Sequence, residues 1–192
     1  ETIKNIFDII SVCFVIYLIG YSTFLFLSVV VGASTLYRKK MQDRLMNKFT
    51  DNYFVPITIV VPAYNEEVTV VQTVKSLLSL DYKLYEIIVV DDGSKDETSR
   101  VLIEAYNMHP VRRPLHRSIA CQPEEFIYES YEQKVPLTLI RKKNGGKADA
   151  LNMGINASQY PYFICMDADS VLQYDSLKKL VVPVLEDDSV VA

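Results

Sequence analysis

Tyr162-Phe-Ile-Cys-Met-Asp-Ala-Asp-Ser170 is the stretch on which the reading of this chain turns. An apolar run bounded by a polar turn reads as a buried central strand, and this one ends in two carboxylates, Asp167 and Asp169. In an open α/β sheet, ligands sit in the crevice outside the carboxyl ends of the strands. Two acids at that place suit a hard divalent cation that keeps some waters and shares its coordination with a diphosphate. Acidic pairs also occur in ordinary surface turns, so the pair acquires meaning only from what surrounds it.

Working outward, short apolar runs alternate with longer amphipathic ones from Pro56 onward. Ile57–Val61, Glu86–Val90, Pro136–Ile140 and Tyr162–Met166 read as strands, with helices near Glu66–Leu80, Lys95–Tyr106 and Lys147–Ala157. Such alternation implies right-handed crossovers and a mainly parallel sheet. Asn65 is placed to cap the first helix, and Ser94 with Glu97 forms a capping box for the second. A further helix starts at Asp175 and meets Pro183, and Ser189–Ala192 reads as the beginning of a strand. Between Asn107 and Lys134 the alternation fails, and three prolines with several arginines mark an irregular insertion with a short helix around Glu124–Tyr131. A loop of this length is either functional or mobile.

Each strand end carries polar groups, and in a parallel sheet these ends converge. The first is followed by Val61-Pro-Ala-Tyr-Asn-Glu-Glu67, where a helix start leaves backbone N–H groups facing the crevice. The second is followed by Asp91-Asp-Gly-Ser-Lys-Asp-Glu-Thr98, from which one of Asp91 and Asp92 must point into the cleft. The third is followed by Lys142-Lys-Asn-Gly-Gly-Lys-Ala-Asp-Ala-Leu-Asn152, whose glycines permit close backbone approach and whose Lys147 offers a positive charge to phosphate. Taken singly, each is also an ordinary turn, loop or solvated lysine. The four together, each at a strand end, describe a nucleotide site.

Ahead of this domain, Ile9 to Tyr37 contains no charged residue. A bilayer core needs ~20 apolar residues, so this run is long enough to span. Arg38, Lys39, Lys40 and Arg44 follow it, which by the positive-inside rule places everything beyond residue 38 in the cytoplasm. Residues 1–37 are thus expected to form a transmembrane helix and 38–55 a juxtamembrane, interfacial segment. The chain has 192 residues, 49% hydrophobic, with a formal net charge of −4. Mild acidity without a basic tract argues against nucleic acid as the partner. Cys13, Cys121 and Cys165 form no spaced pattern and read as reduced thiols. His109 and His116 share a Pro/Arg-rich loop and read as solvated rather than metal-ligating.

The four strand-end motifs, closing with Met166-Asp-Ala-Asp-Ser170, resemble the successive signatures of family 2 glycosyltransferases. Within that family the chain is similar to membrane-embedded synthases of β-linked polysaccharides, of the poly-N-acetylglucosamine, cellulose and hyaluronan type. The resemblance covers Pro56 to the end apart from the insertion. It implies a GT-A (Rossmann-like) α/β fold over residues 56–192, an inverting mechanism, and a nucleotide-sugar donor, usually a UDP-sugar, used to extend a polysaccharide acceptor at the plasma membrane. By position it implies that Ala63 and Glu66 line the uridine pocket and that Asp92 contacts uracil or ribose. Lys147 would lie near the uracil or diphosphate, Asp167 on the ribose side, and Asp169 would bind Mg²⁺ or Mn²⁺. Inversion also needs a general base. The family supplies it further along the chain, as it does a tryptophan-containing acceptor motif, and this chain has no tryptophan. The base and later membrane spans are therefore expected beyond Ala192, and the chain reads as the donor half of a longer enzyme. Two other readings stay open: a non-processive family 2 enzyme acting on a lipid or protein, and a non-catalytic nucleotide-binding subunit.

Overall fold

The computed structural model of the protein describes residues 2–50 and 55–186; the expected strand at Ser189–Ala192 lies outside the described residues, as do Asp187 and Asp188. Two compact units divide the chain near residue 51.

The first unit is one helix, α1 (Thr2–Thr50), whose backbone runs on past Tyr37 without a break. Its Ile10–Arg38 section has mean hydropathy 2.2 and none of its most apolar window is buried within the protein. At 1.5 Å per residue this section is roughly 43 Å long, more than a ~30 Å hydrocarbon core requires. Ser22, Thr23, Ser28, Ser34 and Thr35 each donate to a carbonyl three or four residues back. Their hydroxyls are therefore satisfied inside the helix, as an apolar surrounding demands.

The second unit is an α/β sandwich. Its elements are β1 (Ile57–Ala63), α2 (Val70–Leu78), β2 (Tyr85–Asp91), α3 (Thr98–Ala105), β3 (His109–Pro110), β4 (Glu124–Ser130), β5 (Leu137–Lys142), α4 (Lys147–Ala157), β6 (Tyr162–Cys165) and α5 (Ser176–Glu186). The six-stranded sheet has the order β3-β4-β5-β2-β1-β6. Strands β5, β2, β1 and β6 run parallel, while β4 is antiparallel to both β3 and β5.

Alternate residues of the strands build two cores, as the period of two dictates. Ile57, Ile59, Val61, Ile87, Val89, Leu137 and Leu139 meet Val70, Val74, Leu77, Leu102, Leu177 and Val181 on one face. Val60, Ile88, Val90 and Ile140 meet Ala150, Met153 and Ala157 of α4 on the other. Because α4 crosses from β5 to β6 over β2 and β1, the strand order reverses at β1. A crevice therefore opens at the C-terminal end of the sheet at that point.

Four local expectations are corrected. Tyr162–Cys165 is not a buried central strand: among the described residues β6 is the edge of the sheet, paired with β1 alone, and because no described strand pairs with its outer side Phe163 and Cys165 are exposed. Glu124–Ser130 is a strand, because β5 offers it an open edge and its Ile127 pairs in register with Ile140 in the α4-side core. The insertion is thus partly sheet. It is pinned by Arg113, whose nearly buried guanidinium pairs with Glu86 at 2.9 Å and Glu129 at 3.2 Å. Neither expected cap forms. Asn65 has φ +57° and accepts from Lys95 N–H, while Ser94 Oγ accepts from Asn65 N–H. The two loops after β1 and β2 bond to each other, and α2 and α3 start later, with Thr69 and Glu97 at their N-caps. Finally, α5 does not stop at Pro183 but carries it inside and runs on to Glu186.

Candidate active site

Register places the strand ends side by side. Ala63 pairs with Asp91, and Asp91 with Arg141, so β1, β2 and β5 finish almost level. Strand β6 stops opposite Val60, and the chain then leaves the sheet through Met166–Asp169. A cleft of about 510 Å³ lies there, lined by Pro62, Ala63, Tyr64 and Glu66 after β1 and Asp92 after β2. Asn144, Gly146, Lys147 and Ala150 close it from the β5–α4 side, and Asp167, Ala168 and Asp169 after β6. All six residues proposed from sequence, Ala63, Glu66, Asp92, Lys147, Asp167 and Asp169, face this one cleft.

The two aspartates of the β2 turn divide their roles. Asp91 is fully buried and serves the turn, accepting from Ser94 N–H at 2.8 Å and from the Ser99 hydroxyl. Asp92 lines the cleft, but its carboxylate is engaged by protein donors: Gly145 N–H at 3.0 Å, Gly146 N–H at 2.7 Å and the Lys142 ammonium. Gly93 makes the turn possible, with φ +69° and a position where a Cβ would lie 2.9 Å from Asn144 N. Asn144 in turn donates to the Asp92 carbonyl at 2.7 Å.

The backbone N–H groups expected to face the crevice after β1 are also occupied. Asn65, Glu66 and Glu67 donate to Ser94 Oγ, Thr98 Oγ1 and Asp96 Oδ2. This side of the cleft therefore offers side chains and a rigid wall rather than an open nest of donors. Ala168, between the two acids, is anchored through its carbonyl, which accepts from the buried Thr73 hydroxyl at 2.6 Å.

Opposite charges meet across the mouth. Lys147, the first residue of α4, pairs with Asp167 at 2.6 Å, both side chains being more than half exposed. The hydrogen bond to Asp167 and that residue's charge, with Asp169 adding to them, hold the Lys147 pKa above the usual lysine value. An exposed pair of this kind adds little to stability. It does keep a cation and two carboxylates within reach of one ligand.

Among the described residues no three His, Cys, Asp or Glu side chains cluster as a metal cage. The donors present are hard carboxylate oxygens of Asp169 and Asp167 at an open cleft. One or two carboxylates completed by phosphate oxygens is a normal donor set for Mg²⁺ or Mn²⁺, so the residues fit a cation shared with a nucleotide diphosphate. His109 is exposed, on β3, and stacks on Tyr131.

Lys142, Asn144 and Asp149 all lie in the motif after the third strand, but sequence reasoning assigns none of them a role. The available signal was alternation. Counting by twos from Ile140 puts Lys142 on the α4 side, where a lysine needs acidic company.

Comparison with known proteins identifies the family and the fold. The chain is 29% identical over 163 residues to poly-beta-1,6-N-acetyl-D-glucosamine synthase of Staphylococcus aureus, covering 83% of this chain. It is 31% identical over the same length to the Staphylococcus epidermidis protein of that name. The chain spans 34% of the length of each of these relatives. Among solved structures, the mannosyltransferase PcManGT from Pyrobaculum calidifontis in complex with GDP-Man and Mn²⁺ matches with a TM-score of 0.56. The identity is 24%, over 72% of this chain and 34% of that one. S. aureus TarS 1-349 in complex with UDP-GlcNAc matches with a TM-score of 0.50 at 20% identity, over 69% of this chain and 32% of that one. At these identities the two structures speak to the fold. Residues 58–120 and 124–192 match the pattern described as Glycosyl transferase family 2, and the chain belongs to that family.

Proposed function

We propose that this chain forms the donor-binding part of an inverting, membrane-anchored glycosyltransferase that uses a UDP-sugar to extend a β-linked polysaccharide. The observation that carries the reading is the convergence of Ala63, Glu66, Asp92, Lys147, Asp167 and Asp169 on one cleft at the ends of four parallel strands. The curated relatives named as poly-β-1,6-N-acetyl-D-glucosamine synthases make UDP-N-acetylglucosamine the first donor to test.

In this reading the nucleoside lies against the β1 side, along Ala63 and Glu66, with Asp92 beneath it. The diphosphate lies between Lys147 and the acidic pair. Lys147 supplies a positive charge to phosphate oxygens, so donor binding exchanges its bond to Asp167 for one to the ligand and leaves Asp167 to the ribose. Asp169, exposed at the cleft, would hold Mg²⁺ or Mn²⁺. When bound, that cation supplies Lewis-acid stabilisation of the charge that builds on the departing nucleotide. Aligning the anomeric carbon for attack from the opposite face is the work of the cleft walls. The residue that takes the acceptor proton, and the acceptor channel itself, we assign to polypeptide outside these 192 residues.

The membrane reading rests on α1: an apolar section with satisfied hydroxyls, followed by four basic residues. We place residue 1 outside and the transferase domain in the cytoplasm, where sugar nucleotides are made.

The test uses membranes containing the full-length protein, incubated in parallel with UDP-N-acetylglucosamine, UDP-glucose, UDP-glucuronate and GDP-mannose. One UDP-sugar should be consumed and appear in a long polymer, with Mg²⁺ or Mn²⁺ required and Lys147→Ala inactive. Transfer of single sugars to lipid or protein would replace the polymerase reading with the non-processive one. Binding of UDP without any turnover would leave only a nucleotide-binding subunit.

A further inference from the structure

We infer that Lys142 is a positioning residue of the donor cleft: its buried ammonium, shared by Asp92 and Asp149, holds the turn that aims Lys147. The inference rests on reading that cleft as a donor site.

Lys142 ends β5 and is 0% exposed. Burying an ammonium is costly unless it is paired and hydrogen-bonded. Here it reaches the Asp92 carboxylate, Asp149 Oδ2 at 2.6 Å and the Lys143 carbonyl at 2.7 Å. Buried ion pairs are weak devices for stability, and where they are kept their best-supported use is to specify geometry. What this one specifies is visible in the remaining bonds of Asp92, which go to Gly145 and Gly146 N–H.

Gly146 has φ +91° and ψ 169°, a conformation essentially confined to glycine, and Lys147 follows it directly as the first residue of α4. The orientation of that peptide therefore sets where Lys147 points. Asp149 closes over the same turn from above: a Cβ on Gly145 would lie 2.5 Å from Asp149 Oδ2. Asp149 also accepts from Gln122 N–H at 3.1 and 3.0 Å, so the 107–134 insertion is tied into the network. Burial pushes the Asp149 carboxyl up, but the hydrogen bonds from Lys142 and Gln122 outweigh it and hold the pKa low. Without the ammonium, two carboxylates would share one slot, and their mutual repulsion would act on the turn between them.

The experiment compares the full-length protein with Lys142→Met and with Lys142→Met/Asp149→Asn, which removes one charge of each sign. Hydrogen–deuterium exchange should rise at least ~tenfold in peptides spanning 143–147, with β1 and β2 unchanged. Affinity for UDP should fall at least ~tenfold and by clearly more than affinity for uridine, which loses only the positioning of Asp92 while UDP also loses that of Lys147. Unchanged protection of the turn would overturn the inference. So would faster exchange spread evenly over the sheet, or failure of both variants to fold, since either makes Lys142 a stability element only. Equal losses for uridine and UDP would also overturn it, by moving the effect to the base pocket. If the wild-type protein bound no UDP, the donor reading would fall, while the exchange measurement would still decide whether Lys142 positions the turn.

Discussion

Gly154→Ala is the substitution through which the structure makes its firmest stability prediction. Gly154 sits near the end of α4, directly over Val60 of β1. A Cβ at position 154 would lie 2.2 Å from Val60 Cγ1, and 3.1 and 3.2 Å from Cγ2 and Cβ. Carbon atoms in contact prefer about 3.5–4.0 Å, so helix and strand must part by about 1 Å or more. Val60 cannot step aside easily: it is 0% exposed, β-branched, and packed among Ala150, Met153 and Ala157. Overpacking of this kind costs ~1–3 kcal/mol, and so close an approach belongs at the upper end. Against it, alanine gains about 1 kcal/mol over glycine inside a helix. The net expectation is a loss of about 1–2 kcal/mol, or roughly 3–6 °C in melting temperature for a domain of this size. The double variant Val60→Ala/Gly154→Ala removes both Cγ contacts. It should recover at least about 1 kcal/mol relative to the sum of the single changes. Chemical denaturation of all four proteins, followed by circular dichroism, measures the cycle. A Gly154→Ala protein as stable as wild type, or strictly additive changes, would refute the seating of α4 on β1.

Other outcomes follow from the same contacts. Gly146→Ala forces an alanine to φ +91° in otherwise open space. It should cost about 1–3 kcal/mol from backbone strain and weaken UDP binding in calorimetry. The Asp149 carboxyl is held below its ordinary value of 3.8, so its stabilising contribution is fully present above that value and lost as pH falls through the lowered one. Asp149→Asn should therefore flatten the acid limb of stability against pH. With residue 1 outside, Lys48→Cys in a background lacking Cys13, Cys121 and Cys165 should resist a membrane-impermeant thiol reagent in intact cells and react once they are opened. Labelling in intact cells would reverse the orientation.

The sequence exposes the centre of this fold because the central strands are simple. Ile57–Val61 and Glu86–Val90 are nearly continuous apolar runs, as strands buried on both faces must be. The helix expected at Lys147–Ala157 has those bounds in the structure. What it hides depends on partners far along the chain. Glu124-Glu-Phe-Ile-Tyr-Glu-Ser130 has glutamates that favour a helix, and becomes a strand only because β5 presents an unpaired edge. Asn65 and Ser94 look like caps by local rule, yet their partners are each other's loops, some thirty residues away. Lys142 looks like a polar strand end until Asp92, 50 residues earlier, is seen to reach it. Locating the strands is enough to bring Asp92, Lys147, Asp167 and Asp169 to one end of the sheet, whereas Ala63 and Glu66 come only from the family resemblance.

Metal-dependent nucleotide binding through Asp169 is the central property expected of this cleft. Calorimetric titration of UDP into the full-length protein, with Mn²⁺ or Mg²⁺ and again with chelator, should show binding that requires the cation. Asp169→Asn changes charge but little volume in an exposed turn. It should abolish the metal-dependent part while leaving the melting temperature within about 1–2 °C of wild type, as surface substitutions do. Equal UDP affinity with and without chelator, or metal-dependent affinity retained by Asp169→Asn, would contradict the assignment of this cleft.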